Sequence, residues 1–131
     1  MQYILMLYVN EAGWPKLTQA EQEQGIAAYT AYTEALTKAG VLKGAGRLQS
    51  SSTATTVRIA DGKPQVLDGP FADSKEQLGG YYILDVGDLD AALSWAARCP
   101  AASHGTVEVR PLFGTSGNAS EAARDSDRRK L

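Results

Sequence analysis

From Gln2 to Val9 the chain is apolar on both alternating sets of positions, with Tyr3, Leu5, Leu7 and Val9 on one and Ile4, Met6 and Tyr8 on the other. A strand that is apolar on both faces is covered on both sides. After the loop Gly13-Trp14-Pro15, Thr18 is placed to cap a helix, with Glu21 three residues on to complete a capping box. Ile26, Tyr29, Tyr32 or Thr33, Leu36 and Ala39 then recur at helical spacing, and Gly40 marks the stop. Gly25 inside this helix costs about 1 kcal/mol relative to Ala, which packing must offset.

The period changes to two beyond Val41. Thr53, Thr55, Val57 and Ile59 alternate with Ala54, Thr56 and Arg58, and Asp61-Gly62 signals a hairpin turn whose second arm runs from about Pro64 to Leu67. The polar run Gln49-Ser50-Ser51-Ser52 before it reads as a loop or a strand edge. Gly80 to Val86 is a further strand. Asp88 caps a second helix, with Leu89, Ala92, Leu93 and Ala96 on one stripe until Pro100 ends it. A last strand spans about Gly105 to Phe113, with Val107 and Val109 facing one way and Thr106, Glu108 and Arg110 the other.

Strand, helix, hairpin region, strand, helix, strand is the order of the split βαβ, ferredoxin-like α+β fold with an extra hairpin. Both helices then lie on one face of a four-stranded sheet. The other face needs cover, and two such sheets packed face to face in a homodimer, a dimeric α+β barrel, supply it most simply. Residues 115–131 are small, polar and charged without apolar periodicity, so the expectation is a folded domain over 1–114 and a flexible polar tail. Arg128-Arg129-Lys130 within that tail reads as a solvated end.

Composition narrows the function classes. At 131 residues the chain has the length of one domain with a real core. Thirteen basic against fifteen acidic residues give a net charge of −2, which does not suit a nucleic-acid binder. The apolar start lacks a basic leader and is far shorter than the ~18 residues a membrane span needs. The single Cys99 suits a reducing compartment, so the expectation is cytoplasmic. One Cys and one His cannot fill three zinc positions, and no phosphate-cradling glycine motif or Gly-x-Ser-x-Gly occurs, so no metal or cofactor is expected.

Candidate chemistry concentrates in Asp68-Gly69-Pro70-Phe71-Ala72-Asp73-Ser74-Lys75-Glu76. Asp68-Gly69-Pro70 is a turn by its residue types, and the segment is either structural or a ligand-contacting loop. In the second case Phe71, Asp73 and Lys75 contact a ligand, Lys75 holding an anionic group. Asp68 or Glu76 then acts as general base if burial raises its pKa. In the first case Lys75 and Glu76 are a solvated pair worth under about 1 kcal/mol. Glu108 and Arg110 share one face of the last strand and are either an internal ion pair or part of a cleft that takes a carboxylate. His104 is a further catalytic candidate, as the one side chain that ordinarily titrates near neutrality. Cys99 at a helix C-terminus faces the negative end of the dipole, which raises a thiol's pKa and argues against a nucleophile. Trp14 and Trp95 fill the core or a dimer seam.

Three ordered blocks then carry a family resemblance. Asp68 to Glu76 with Leu78-Gly79-Gly80-Tyr81-Tyr82, Asp88 to Ala97, and Val107-Glu108-Val109-Arg110-Pro111 closely resemble the DGPF-type branch of the YCII-related proteins, over nearly all of Met1 to Phe113. The resemblance implies a ferredoxin-like fold, a homodimer and a cleft beside the sheet that takes a small molecule. Members of the branch are bacterial, some look like neighbours of extracytoplasmic-function sigma factors, and some YCII relatives act as small lyases or dehydrochlorinases. A sigma factor is accordingly a candidate partner, and a non-catalytic regulatory module is the alternative to a ligand-binding protein. Relatives with a proposed active site pair a His near the start of helix one with an Asp just before the Pro that ends helix two. Here helix one has no His, and Cys99 stands where that Asp would be.

Overall fold

The computed structural model describes residues 1–114; the expected polar tail, 115–131, lies outside the described residues. The elements are β1 (Gln2–Val9), α1 (Gln19–Lys38), β2 (Leu42–Arg47), β3 (Thr55–Ala60), β4 (Lys63–Asp68), β5 (Gln77–Asp85), α2 (Leu89–Arg98), a single turn α3 (Ala101–His104) and β6 (Thr106–Pro111). Four strands form one antiparallel sheet in the order β2-β5-β1-β6, and β3 and β4 form a separate two-stranded hairpin. This is the ferredoxin-like α+β arrangement, with the hairpin inserted between β2 and β5.

Period two in β1 decides which side chains meet the helices. Tyr3, Leu5 and Leu7 are buried together with Tyr82 and Leu84 of β5, Tyr32 and Leu36 of α1, and Ala92 and Ala96 of α2. Leu5, Leu36 and Leu84 are the largest side chains fully removed from solvent, and each contributes roughly 1.5–3 kcal/mol by that burial. The register turns the alternate residues to the opposite face. Ile4 lies opposite Ile83 and Arg110, Met6 opposite Tyr81 and Glu108, and Tyr8 opposite Thr106. Among the described residues no helix lies on that second face, and its apolar residues Ile4, Met6, Tyr8, Tyr81 and Ile83 are half-buried.

Local signals in α1 act as its residue types require. Thr18 Oγ1 accepts the Glu21 N–H at 3.1 Å, while the Glu21 carboxylate accepts the Thr18 N–H at 2.9 Å, which closes the capping box. Gly40 takes a φ of 74° after the last turn. Gly25 has a packing reason: a Cβ there would lie 3.3 Å from Trp14 Cζ3, so the glycine lets the indole lie against the helix. Tyr32 and Leu36 are buried, whereas Ile26 at the same nominal face is half exposed.

Two elements differ from the sequence reading. The inward face of α2 is Ala92, Ala96 and the capping Cys99, with Leu89 and Leu93 turned outward and almost half exposed. The inter-helix space is filled instead by Tyr32, whose ring meets Trp95 edge-on at 6.3 Å, so α2 approaches through alanines. Periodicity also did not locate β2, whose sequence Leu-Lys-Gly-Ala-Gly-Arg has little apolar alternation. Its glycines make room for β5: a Cβ on Gly46 would come within 2.6 Å of the Tyr81 ring.

Candidate functional site

Asp68 ends β4, and Gly69 turns the chain with a φ of 110° while donating its N–H to Ala54 O at 2.7 Å. The turn expected from Asp-Gly-Pro is therefore present. Beyond it the backbone runs exposed from Pro70 to Lys75, and the Phe71 ring is 86% exposed. The segment is tied down at its far end, where Ser74 Oγ donates to Glu76 O and Gln77 Nε2 donates to Ser74 O. Gln77 Oε1 in turn accepts the Glu11 N–H at 3.0 Å. The Glu11 carboxylate accepts both the N–H and the hydroxyl of Ser51, at 2.8 and 2.7 Å. Glu11 thus joins the end of β1 to the start of β5 and to the segment at Ser51. No sequence pattern singled it out, because its partners lie 40 and 66 residues away.

One contact links the segment to the open sheet face. Thr106 Oγ1 donates to Glu76 Oε1 at 2.9 Å, and Thr106 begins the outward row of β6 that continues with Glu108 and Arg110. At about 3.3 Å per residue this row extends roughly 13 Å from Thr106 to Arg110. Arg110 Nε donates to Glu108 Oε2 at 2.6 Å, with the two side chains 69% and 40% exposed. The pair is real, but at that exposure it contributes at most about 1 kcal/mol to stability. Its guanidinium keeps further donors available to solvent.

The structure brings Glu76, Glu108 and Arg110 onto one surface and leaves the other candidates apart. Asp68, Asp73 and Lys75 are exposed, and among the described residues their side chains make no hydrogen bond or ion pair. The burial on which a general-base role for Asp68 depends is not supplied within one chain. His104 is exposed on α3, with its Nδ1 3.5 Å from the Ser103 hydroxyl, and is not joined to Glu76 or Asp68.

A second cluster, between the helices and the sheet, was not singled out as a site by sequence. Tyr32 Oη donates to Trp95 O at 2.7 Å, and its ring meets Tyr82 edge-on at 5.3 Å. Thr33 Oγ1 donates to Tyr29 O at 2.9 Å and shares a 2.9 Å hydrogen bond with Tyr82 Oη. Burial pushes the Tyr29 hydroxyl up to about 12 and raises those of Tyr32 and Tyr82. Burial likewise raises the Cys99 thiol, the largest cause there, against a smaller lowering by the Ala101 backbone. All four stay protonated at neutral pH, so the cluster packs and orients rather than ionises. The inert thiol follows from burial, where the sequence had pointed only to the helix dipole.

No described helix is long and apolar enough to cross a membrane. Comparison with known proteins places the chain among relatives. A model of the YCII-related domain matches residues 1–116. An uncharacterised protein of Rhizobium meliloti (strain 1021) is 37% identical over 114 residues, covering 86% of this chain and 92% of that one. Among solved structures, 5-chloro-2-hydroxyhydroquinone dehydrochlorinase from Burkholderia phenoliruptrix AC1100, in complex with 2,5-dihydroxybenzoquinone, superposes with a TM-score of 0.50 at 17% identity. That match covers 90% of this chain and all of the other, and at such identity it speaks for the fold. With the family model spanning nearly the whole chain and a relative this similar, the chain belongs to the YCII-related domain family.

Proposed function

We propose that this chain is a DGPF-type member of its family that works as a homodimer. It binds a small polar or anionic molecule in a cleft between the open sheet face and the segment Asp68 to Glu76. The observation that carries the reading is the Thr106–Glu76 hydrogen bond, which anchors the segment at the head of the row bearing Glu108 and Arg110. A ligand carboxylate or phenolate would displace or share Glu108 on the Arg110 guanidinium. Lys75, free of acidic partners among the described residues, would add a second cation when the segment folds inward. Glu76, held at the head of that row by Thr106, would be the carboxylate that moves a proton, so the reading extends to cofactor-independent acid–base chemistry.

Thermal-shift titration with small carboxylates, phenols and 2,5-dihydroxybenzoquinone tests this reading; the quinone is chosen because the dehydrochlorinase of like fold was solved with it. Stabilisation by one of these should be lost in Arg110→Ala and weakened in Lys75→Ala, by about tenfold or more in affinity for a charge-assisted bond. A response unchanged in both variants would sink the proposal. A monomer in light scattering at micromolar concentration would remove the homodimer from it.

A regulatory interaction module is the second reading, favoured by Leu89 and Leu93 standing side by side on the outer face of α2, 47% and 45% exposed. Its partner would be a regulatory protein such as a sigma factor. Capture of such a factor by the full chain, lost in Leu89→Lys with Leu93→Lys, supports it; equal capture by the variant counts against it.

A further inference from the structure

The β3–β4 hairpin is amphipathic, and among the described residues its more apolar face is left largely to solvent. The register sets Val57 opposite Val66 and Ile59 opposite Pro64 on one face, with Thr55 and Asp68 at its foot. Thr56, Arg58, Gln65 and Lys63 stand on the other, with Ala60 and the exposed Leu67 among them. Val57, Ile59 and Val66 are 61%, 68% and 61% exposed, and both strands pack chiefly on each other rather than on the body of the domain. A two-stranded hairpin alone is marginally stable in water, so this one needs a surface to lie on.

We infer that each hairpin is an arm that lies across the open sheet face of a second copy and carries Phe71 into that copy's cleft. The inference rests on the homodimeric reading above and deepens it, because the site then takes residues from both chains. Area argues for this occupant. The four aliphatic side chains and Phe71 offer roughly 400 Å² per arm. Two arms with the surface they cover come to roughly 1,600 Å², the size of a standard specific interface. The complementary surface exists on the same molecule, in the half-buried strip of Ile4, Met6 and Ile83.

Charge argues the same way. Asp68 stands at the foot of the arm's apolar face and Arg110 at the rim of the strip. Both are exposed and available to one another across a two-fold axis. The connection also fits. Gly69 follows the last residue of β4 directly, so an arm seated on the partner draws Phe71, otherwise 86% exposed, under cover with it. Glu76 meanwhile holds the far end of the segment on its own chain through Thr106. Each cleft then has the Arg110 row of one chain and the aromatic ring of the other.

Isotope-filtered NMR on an equal mixture of labelled and unlabelled full-length chain tests the arm. Cross-chain contacts are expected from Val57 and Ile59 methyls and from the Phe71 ring to Ile4, Met6 and Ile83 of the partner subunit. Ile59→Lys together with Val57→Lys, at positions 68% and 61% exposed, should abolish those contacts and shift the dissociation constant at least tenfold towards monomer. Cross-chain contacts confined to the two sheet faces, with the hairpin methyls seeing solvent or their own chain, would overturn the arm and leave the homodimer standing. A monomer at all concentrations would overturn both.

Discussion

Gly105 is the position at which one added methyl group should separate β6 from β1. A Cβ built there would lie 2.2 Å from the backbone oxygen of Tyr8 and 3.3 Å from Ala101 O. Real Cβ contacts essentially never fall below 3.0 Å, so Tyr8 O must retreat by at least the difference, 0.8 Å. The obstacle is backbone, and no side chain can swing aside to relieve it. Ladder hydrogen bonds span 2.7–3.2 Å, and a retreat of this size breaks those nearest the Tyr8–Thr106 pair. The 2.7 Å bond from Gly105 N–H to Ala101 O is strained as well.

Two or three bonds at about 1 kcal/mol each, with the further cost of any polar group left buried, give a loss of roughly 3 kcal/mol for Gly105→Ala. For a domain of this size that lowers Tm by roughly 10 °C. Gly87→Ala, where a Cβ meets nothing within 4 Å, is the control and should stay within about 0.5 kcal/mol. Circular-dichroism melts of the two variants and the parent chain decide the matter. Gly105→Ala melting within 2 °C of the parent, on a scale where roughly 10 °C is expected, would refute the close approach and with it the placement of Thr106 beneath Glu76.

Other perturbations probe the core, the anchor and the tyrosines. Leu36→Ala removes a side chain with 0% exposure and should cost about 2–5 kcal/mol in urea denaturation; under 1 kcal/mol would mean that α1 does not seal the core. Thr106→Val deletes the bond to Glu76 and should cost up to about 1 kcal/mol while amides 71–76 exchange faster. Unchanged exchange there would show that the segment is held by Ser74 and Gln77 alone. Burial raises the hydroxyl pKa of Tyr29 to about 12 and raises those of Tyr32 and Tyr82. A raised folded pKa favours the protonated form, so this stability is complete below the unfolded value near 10 and is lost as pH climbs through 12. Absorbance at alkaline pH should show these three titrating late and together with unfolding; early titration of all tyrosines would contradict their burial.

The sequence by itself determined the elements whose signals are local. Alternation in Gln2–Val9, the Thr18–Glu21 box, the Asp61-Gly62 turn and the Asp88 cap each act through neighbours a few residues away. Ferredoxin-like order followed from their succession, and the Asp68-Gly69-Pro70 turn was legible from residue type alone. Only the tertiary structure decided matters set by residues distant in the chain. It located β2, because its glycines answer the Tyr81 and Ile83 side chains of β5 and carry no period of their own. It also rolled α2 onto its alanines, because Tyr32 and Trp95 take up the space between helices. The candidate site divides in the same way. Glu76, Glu108 and Arg110 came together through the β1–β6 register and one hydrogen bond spanning 30 residues, while Asp68, Asp73 and Lys75 stayed in solvent. Residue types can nominate a group for chemistry, but burial and partnership are pairwise distances, and those exist only once the sheet has formed.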